Sequence, residues 1–514
     1  MKNIFGTKNY RDYIPHPVDD AHPEYKELYE KAFSLAFAHI KHIEGMPQDP
    51  YMDEAFCDTH IWIWDTCFMS LFCKYAPEVF PGVESLKNFY EVLYGDRHLP
   101  KVIPTDREPD FTGAVAGVPY EVAIHIADNP PLFAWVEYEN ARMRGDTSKI
   151  RTLLYEKQYL QKHYEWIENL RGHEKPRGVF HETYLIAEPC GYLWEGGRSG
   201  MDNTPRGRLG AHAVGQRPNN PDMLWLDAIC QQALSARMIA KLFSLVGDEE
   251  GAALWQKRYE EKKHTVNALY WDAQDGFYYD IDRRDHAFYK VKTMATYWTM
   301  TAEIASERQA RALLSHLADE QGFGGRVSFP SLARSDADFK ESGEYWRGGV
   351  WLPTAYAALI GLKNYGFFDE ARAHATSLLS HMYETYRSHE PHTIWECYSP
   401  TKPEPANIET GEKKSARPDF CGWSALGPIS AYIEFFLGFH TVDALERRVH
   451  WSRPRNVQGK IGIENLRFAG IVTDIVCENG LCLVHSSAPY TLVADGIEYP
   501  ISVGETVISF DKAE

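Results

Sequence analysis

Apolar side chains recur at three- and four-residue intervals through most of the chain. Leu28, Ala32, Leu35, Ala36, Ile40 and Ile43 form one such stripe before Gly45, which is the spacing an amphipathic helix needs to bury one face. The same period predicts helices through Ile150, Leu153, Leu154, Leu160, Tyr164, Ile167 and Leu170, with Gly172 as a left-handed stop, and from Leu226 through Ile229, Ala233, Met238 and Phe243, closing near Gly247. Ala371 to Tyr386 and Leu426 to Leu437 carry two more. From about Val457 the period drops to two. Ile471–Cys477 and Leu481–Val484 flank Asn479-Gly480, a strong two-residue hairpin signal, and Asp495-Gly496 marks another turn.

Long stretches rich in Gly, Pro and Trp separate the helices, at 96–131, 172–222, 320–350 and 389–423. Loops of that length are uncommon unless they carry function. Their spacing suits paired helices whose connecting loops gather on one rim, and no strict repeat supports a solenoid. The expected fold is therefore mainly α: an (α/α) toroid over residues 1–455, with a small β-sheet appendage at 456–514.

Composition narrows the partners. The 72 Asp and Glu exceed the 54 Lys and Arg, for a net charge of −18, and such a surface repels nucleic acid and anionic membranes. No window holds the roughly 18 apolar residues of a membrane span, and the first residues have no apolar signal core. A cytoplasmic location is expected, or a periplasmic one if a signal has been removed. The nine cysteines include no CxxC pair and no zinc spacing, so free buried thiols are expected, with Cys477 and Cys482 able to approach across their hairpin. No cofactor or metal is expected. Oligomeric state is not legible. The 14 Trp, 30 Tyr and 25 Phe suit either a large helical core or the stacking faces of a small-carbohydrate site.

Two isolated carboxylates stand out. Asp202 lies in Ser199-Gly200-Met201-Asp202-Asn203-Thr204-Pro205-Arg206, after a Gly-rich stretch; Glu396 lies in Trp395-Glu396-Cys397-Tyr398. Asp202 reads either as a turn cap paired with Arg206 or as a proton donor. Glu396 reads either as a salt-bridged wall or as the holder of a water, with Trp395 and Tyr398 framing a sugar. Facing one pocket, the two would be the minimal machinery for glycosidic cleavage. Asp65, after Trp64 in an apolar run, is either a helix cap or a partner for sugar hydroxyls. Arg347, between Trp346 and Trp351, is either a core strut or a sugar contact.

These segments, in this order, resemble glycoside hydrolase family 63 and its clan relatives the trehalases. Trp64-Asp65-Thr66 is similar to their Trp-Asp-Ser segment, and Ile103-Pro104-Thr105-Asp106-Arg107 loosely to Ile-Pro-Asn-Gly-x-Arg. Asn129-Pro130-Pro131 stands where they have Gln-Pro-Pro, and Tyr345-Trp346-Arg347-Gly348 with Trp351 matches Tyr-Trp-Arg-Gly-x-x-Trp. Tyr270-Trp271-Asp272 with Gly276 to Asp280 is similar to a structural signature of the clan, and Gly422-Trp423-Ser424 follows the base segment as it does in the family. The resemblance implies an (α/α)6 toroid and an inverting α-glycosidase acting on a glucoside or mannoside, an oligosaccharide or glycosylglycerate. It implies Asp202 as acid, Glu396 as base and Arg206 as a substrate contact, with Trp64, Asp65, Asn129, Trp346, Arg347, Gly348, Trp351, Trp395, Tyr398 and Trp423 around the sugar. The rival readings are a sugar epimerase on a related toroid, a phosphorolytic glycosidase and a non-catalytic glycan binder. The epimerase chemistry favours histidine acid/base groups, whereas the groups singled out in these loops are carboxylates.

Overall fold

The computed structural model describes residues 5–54, 60–91, 102–104, 132–169, 185–194, 196–208, 220–409, 413–455 and 457–510. Helices dominate up to residue 436. Those that are apolar all round lie inside: every residue of α2 (Ile63–Cys73) is buried, as are Leu352–Leu362 of α8 (Leu352–Asn364). Those with a single stripe lie outside. In α6 (Glu249–Leu269) only Ala252, Trp255, Tyr259 and Val266 are buried, and the rest of its surface is polar. Local signals fix the ends: Asp248 caps α6 by accepting from the Gly251 N–H at 2.8 Å, and Ser306 with Gln309 forms a reciprocal capping box on α7 (Glu307–Ala318).

The inner segments pack in sequence order. Helix α2 contacts α3 (Phe133–Arg144), α3 contacts α5 (Leu226–Leu245), α5 contacts the short helix Trp298–Thr301, and that helix contacts α8. Helix α8 then contacts α10 (Gly427–Phe436), which returns to α2. Outer helices α1 (Pro23–Ala38) and α9 (Phe368–Ser388) lie against α10. The N-terminal ends of inner helices α2, α5, α8 and the turn before α10 carry Trp64-Asp65, Asp227, Trp351 and Ser424, so the loops leading into them are the ones that can share a site. Among the described residues no helix is long and apolar enough to cross a membrane.

Several elements differ from the periodicity. The first helix ends at Ala38, because His39 is drawn off: its C=O accepts from the Asp53 N–H, and Ile40-Lys41 pair with Tyr51-Met52 as strands. The stripe at 150–170 is two pieces, Thr147–Arg151 running into a wide turn to Lys157, then α4 (Tyr159–Asn169), broken by Gln158 at φ 57°. The expected stop at Gly172 lies outside the described residues. The last helix, α10, is wound in wide π turns.

Strand structure begins earlier than the alternation suggests, at Thr441–Asp443 and Arg448–Trp451, which join Tyr490–Ala494 and Ile497–Ile501 in a four-stranded sheet. A five-stranded sheet contains Lys460–Phe468, Ile471–Glu478, Leu481–Ser486 and Gly504–Ser509, and its edge is completed by His16–Asp19 from the N-terminus. The Asn479-Gly480 hairpin is present, with both residues at positive φ and Cys477 facing Cys482 across it. The eight described cysteines are free; Cys57 lies outside the described residues.

Candidate active site

Asp202 is held by a loop whose every bend has a visible cause. Through Arg206 and Asp280 it is tied to a five-stranded sheet (Ile186–Glu188, Gly191–Leu193, Met223–Leu224, Asp280–Asp282, Phe288–Tyr289). After a single helical turn, the Ser199 hydroxyl donates to the Gly196 C=O at 2.9 Å and accepts from the Met201 N–H at 3.1 Å. Gly200 sits at φ +85°, where a β-carbon would meet the Trp64 indole at 3.1–3.3 Å. Only glycine allows both the turn and that approach. Gly200→Ala is expected to cost about 1–2 kcal/mol of stability and, by displacing Asp202, up to about 10²-fold in kcat. Thermal melts and steady-state kinetics check both, and unchanged kcat would show that the loop tolerates the shift.

Arg206 is a strut behind this loop and differs from the expected substrate contact. Its Nε donates to Asp280 at 2.7 Å, Nη1 and Nη2 to Asp227 at 2.7 and 2.9 Å, and Nη2 to Asp280 as well. Its fifth N–H points to the Met201 sulfur at 3.8 Å, and the guanidinium lies 4.4 Å from the Trp225 ring. All three side chains are buried, so no donor is left for a sugar. Asp280 also accepts from the Leu226 N–H at the start of α5 at 2.9 Å, which accounts for the Tyr270–Asp280 signature: it brings the carboxylate that fixes the acid loop to this helix.

Asn203, beside Asp202, clamps the next segment. Its amide oxygen accepts from the Trp346 N–H at 2.8 Å and its nitrogen donates to the Glu344 C=O at 3.0 Å. Between them Glu344 and Tyr345 are both at positive φ, a strained turn of the kind that persists only where neighbours over-determine it. Trp346 stacks on Trp351 with centroids 4.3 Å apart, and Gly348 turns at φ +149° where a β-carbon would strike the Lys340 C=O. Arg347 pairs with Asp338 at 3.1 Å.

Glu396 is fully buried. The Trp423 Nε1–H and the Ser424 hydroxyl both donate to its C=O, at 2.8 and 3.0 Å. Its carboxylate accepts from the Arg417 guanidinium at 3.0 Å and from the Arg417 backbone N–H at 3.3 Å. Burial pushes the carboxyl up, Arg417 opposes that, and the Asp202 charge adds to the rise. The Tyr345 hydroxyl is raised by burial first, then by Asp202 and Glu396. The charge of Asp202 thus bears on Glu396, and both charges bear on the same tyrosine, although 194 positions separate the two carboxylates in the chain.

Asp65 lies in the first turn of α2, buried, at the positive end of the helix; the cap position itself is Trp62. Trp64, Trp395 and Trp423 are buried to within a few per cent, Trp351 is buried in the Trp346 stack, and the Tyr398 hydroxyl accepts from the Trp395 N–H at 3.1 Å. Tyr398 and Trp351 are therefore both engaged in packing and hydrogen bonding within the protein. Asn129 and Thr105-Asp106-Arg107 lie outside the described residues.

Sequence reading alone does not single out Arg417, Asn203, Tyr345 or Glu54 for these roles. Glu54 is completely buried beside Gly422, and burial, followed by Asp65 and Asp53, pushes its carboxyl well up. Burial disfavours the charged form of such a carboxyl. What distinguishes each of the four is its partner across the fold, which local sequence does not carry.

Comparison with known proteins places this arrangement. The profile of the mannosylglycerate hydrolase MGH1-like glycoside hydrolase domain matches residues 59–415. A mannosylglycerate hydrolase from Rubrobacter radiotolerans is 23% identical over 380 residues, covering 61% of this chain and 80% of its own. The solved GH63 mannosylglycerate hydrolase from Thermus thermophilus in complex with glucose superposes with a TM-score of 0.54 at 18% identity, over 78% of this chain and 99% of that one. The neutral trehalase Nth1 from Saccharomyces cerevisiae gives 0.52 at 13%, over 74% and 72%.

Proposed function

The chain belongs to the MGH1-like mannosylglycerate hydrolase family of glycoside hydrolases, and from that premise we propose that it cleaves an α-glucoside or α-mannoside with inversion. Asp202 gives its proton to the leaving oxygen. Glu396, as carboxylate, takes a proton from water attacking the opposite face of the anomeric carbon. Inversion needs the two carboxyls about 6.5–9.5 Å apart, so that this water fits between them. Asp65, Trp64, Trp395 and Trp423 hold the sugar, and Asn129 belongs to the same wall. The substrate is a small oligosaccharide or glycosylglycerate.

The observation that most supports this reading is that the charges of Asp202 and Glu396 both bear on Tyr345, and that of Asp202 on Glu396, with Asp202 half-buried on a turn and Glu396 sealed beside a cation. The cyclic order of inner-helix contacts supports an (α/α)6 toroid as the catalytic body, with the β appendage running from Thr441, ahead of the expected boundary at 456, because strands 441–443 and 448–451 belong to its sheet. The strand His16–Asp19 ties the two together.

The test is a screen of α-linked disaccharides and glycosylglycerates, with the anomer of fresh product followed by NMR. Inversion gives the β-anomer first. Product that appears as α-anomer ends the proposal, and turnover that requires phosphate shifts it to phosphorolysis.

A further inference from the structure

Glu396 and Arg417 form a chelate that the twenty-one positions between them do not advertise. The side chain of Glu396 is 0% exposed, whereas that of Arg417 is 39% exposed. One residue takes both carboxylate oxygens: Nη1 reaches Oε1 at 3.0 Å, and the Arg417 backbone N–H reaches Oε2 at 3.3 Å. In return the Glu396 N–H donates to the Arg417 C=O at 2.9 Å. The carboxylate cannot turn about its last torsion without losing one of these bonds.

We propose that Arg417 is a positioning residue for Glu396, fixing the direction of its free lone pairs and supplying the counter-charge that keeps it an anion although its side chain is fully buried. The proposal rests on the reading of Glu396 as the base. A buried carboxylate without such a partner takes up a proton, and a protonated base cannot accept one from water. The other titratable groups facing Glu396 are Asp202 on the acid loop, Tyr345 on the strained turn and Cys397 next in the chain. Asp202 works against ionisation, and the Tyr345 and Cys397 groups are neutral, since burial raises both. Arg417 is the cation that opposes the rise of the Glu396 carboxyl. With its side chain partly in solvent, it adds little to the packing of the core, so its replacement probes charge and direction more than folding.

The experiment compares kcat/KM against pH for the intact enzyme, Arg417→Met and Arg417→Lys, with a melting curve for each. The acid limb is where Glu396 must lose its proton. Taking away the cation raises the carboxyl further, so the limb of the Met variant moves to higher pH. An opposite charge at this range is worth one to three pH units, and partial exposure of the guanidinium puts the expected shift near about one unit. Activity lost at low pH should be largely regained at high pH. The Lys variant, which keeps the charge and the backbone bond, should have its limb close to that of the parent.

A limb that stays in place in the Met variant overturns the inference. So does an equal shift in Met and Lys, or a Met variant that loses its cooperative melt while Lys keeps it, because Arg417 would then be a structural strut. Product configuration separates the two levels: retention ends the reading of Glu396 as a base whatever the limb does, and inversion with an unmoved limb ends only the role of Arg417.

Discussion

Glu396→Gln is expected to lower kcat by about 10²–10⁴-fold while leaving the melting curve cooperative. Glutamine keeps the shape and its amide oxygen can still accept from Arg417, and the released guanidinium charge is 39% exposed and can be solvated. What is lost is the ability to take a proton from water. Asp202→Asn should fall by a similar factor, for the opposite reason. Two reagents tell the roles apart. An activated aryl glycoside, whose leaving group needs no proton, should recover much of the Asp202→Asn loss and none of the Glu396→Gln loss. Azide, a nucleophile that needs no base, should rescue Glu396→Gln as a glycosyl azide of inverted configuration. If the rescues are exchanged, the two residues have been assigned the wrong way round. Near-normal turnover in either variant removes that residue from the mechanism.

Much of this is legible in the chain because long helices announce themselves by their stripes. Leu226–Leu245 and Phe368–Ser388 appear where their apolar positions lie. Helix α8 escapes such a reading because nearly all of its residues are buried and its stripe is weak, although the equally buried α10 still shows its spacing. The stripe of the first helix overruns its true end, since Ile40 and Ile43 continue the spacing although the backbone at His39 is already committed to a strand pair. At the site, glycines and tryptophans mark the loops of Asp202 and Glu396. They cannot mark Arg417 or Asn203, whose importance lies in which groups they meet across 21 and 143 positions. Local sequence carries the chemistry of a side chain but not its partner.

Arg206 shows how large that difference becomes. As a sugar contact, its loss would raise KM and leave folding alone. As the buried partner of Asp227 and Asp280, its loss strands two carboxylates with 2% and 4% of their side chains exposed. Removing one member of a buried ion pair costs about 3–5 kcal/mol, which is a large share of the roughly 5–15 kcal/mol that holds a typical domain folded. Arg206→Met is therefore expected to shift the denaturant midpoint sharply downwards. Arg206→Lys should recover little, since an ammonium cannot chelate both carboxylates. The pH dependence has a definite sign. Burial already pushes the Asp227 carboxyl up, with Arg206 as the opposing influence, so without the arginine the folded state binds protons more tightly than the unfolded chain. The deficit of Arg206→Met relative to the parent should then be greatest near neutrality and narrow as pH falls towards the range in which free carboxyls protonate. A deficit that is absent, or that widens on acidification, would return Arg206 to the substrate-contact role implied by the resemblance. A deficit of the predicted size and sign would mean that a recognisable motif residue acts on the sugar only through the loop it holds in place.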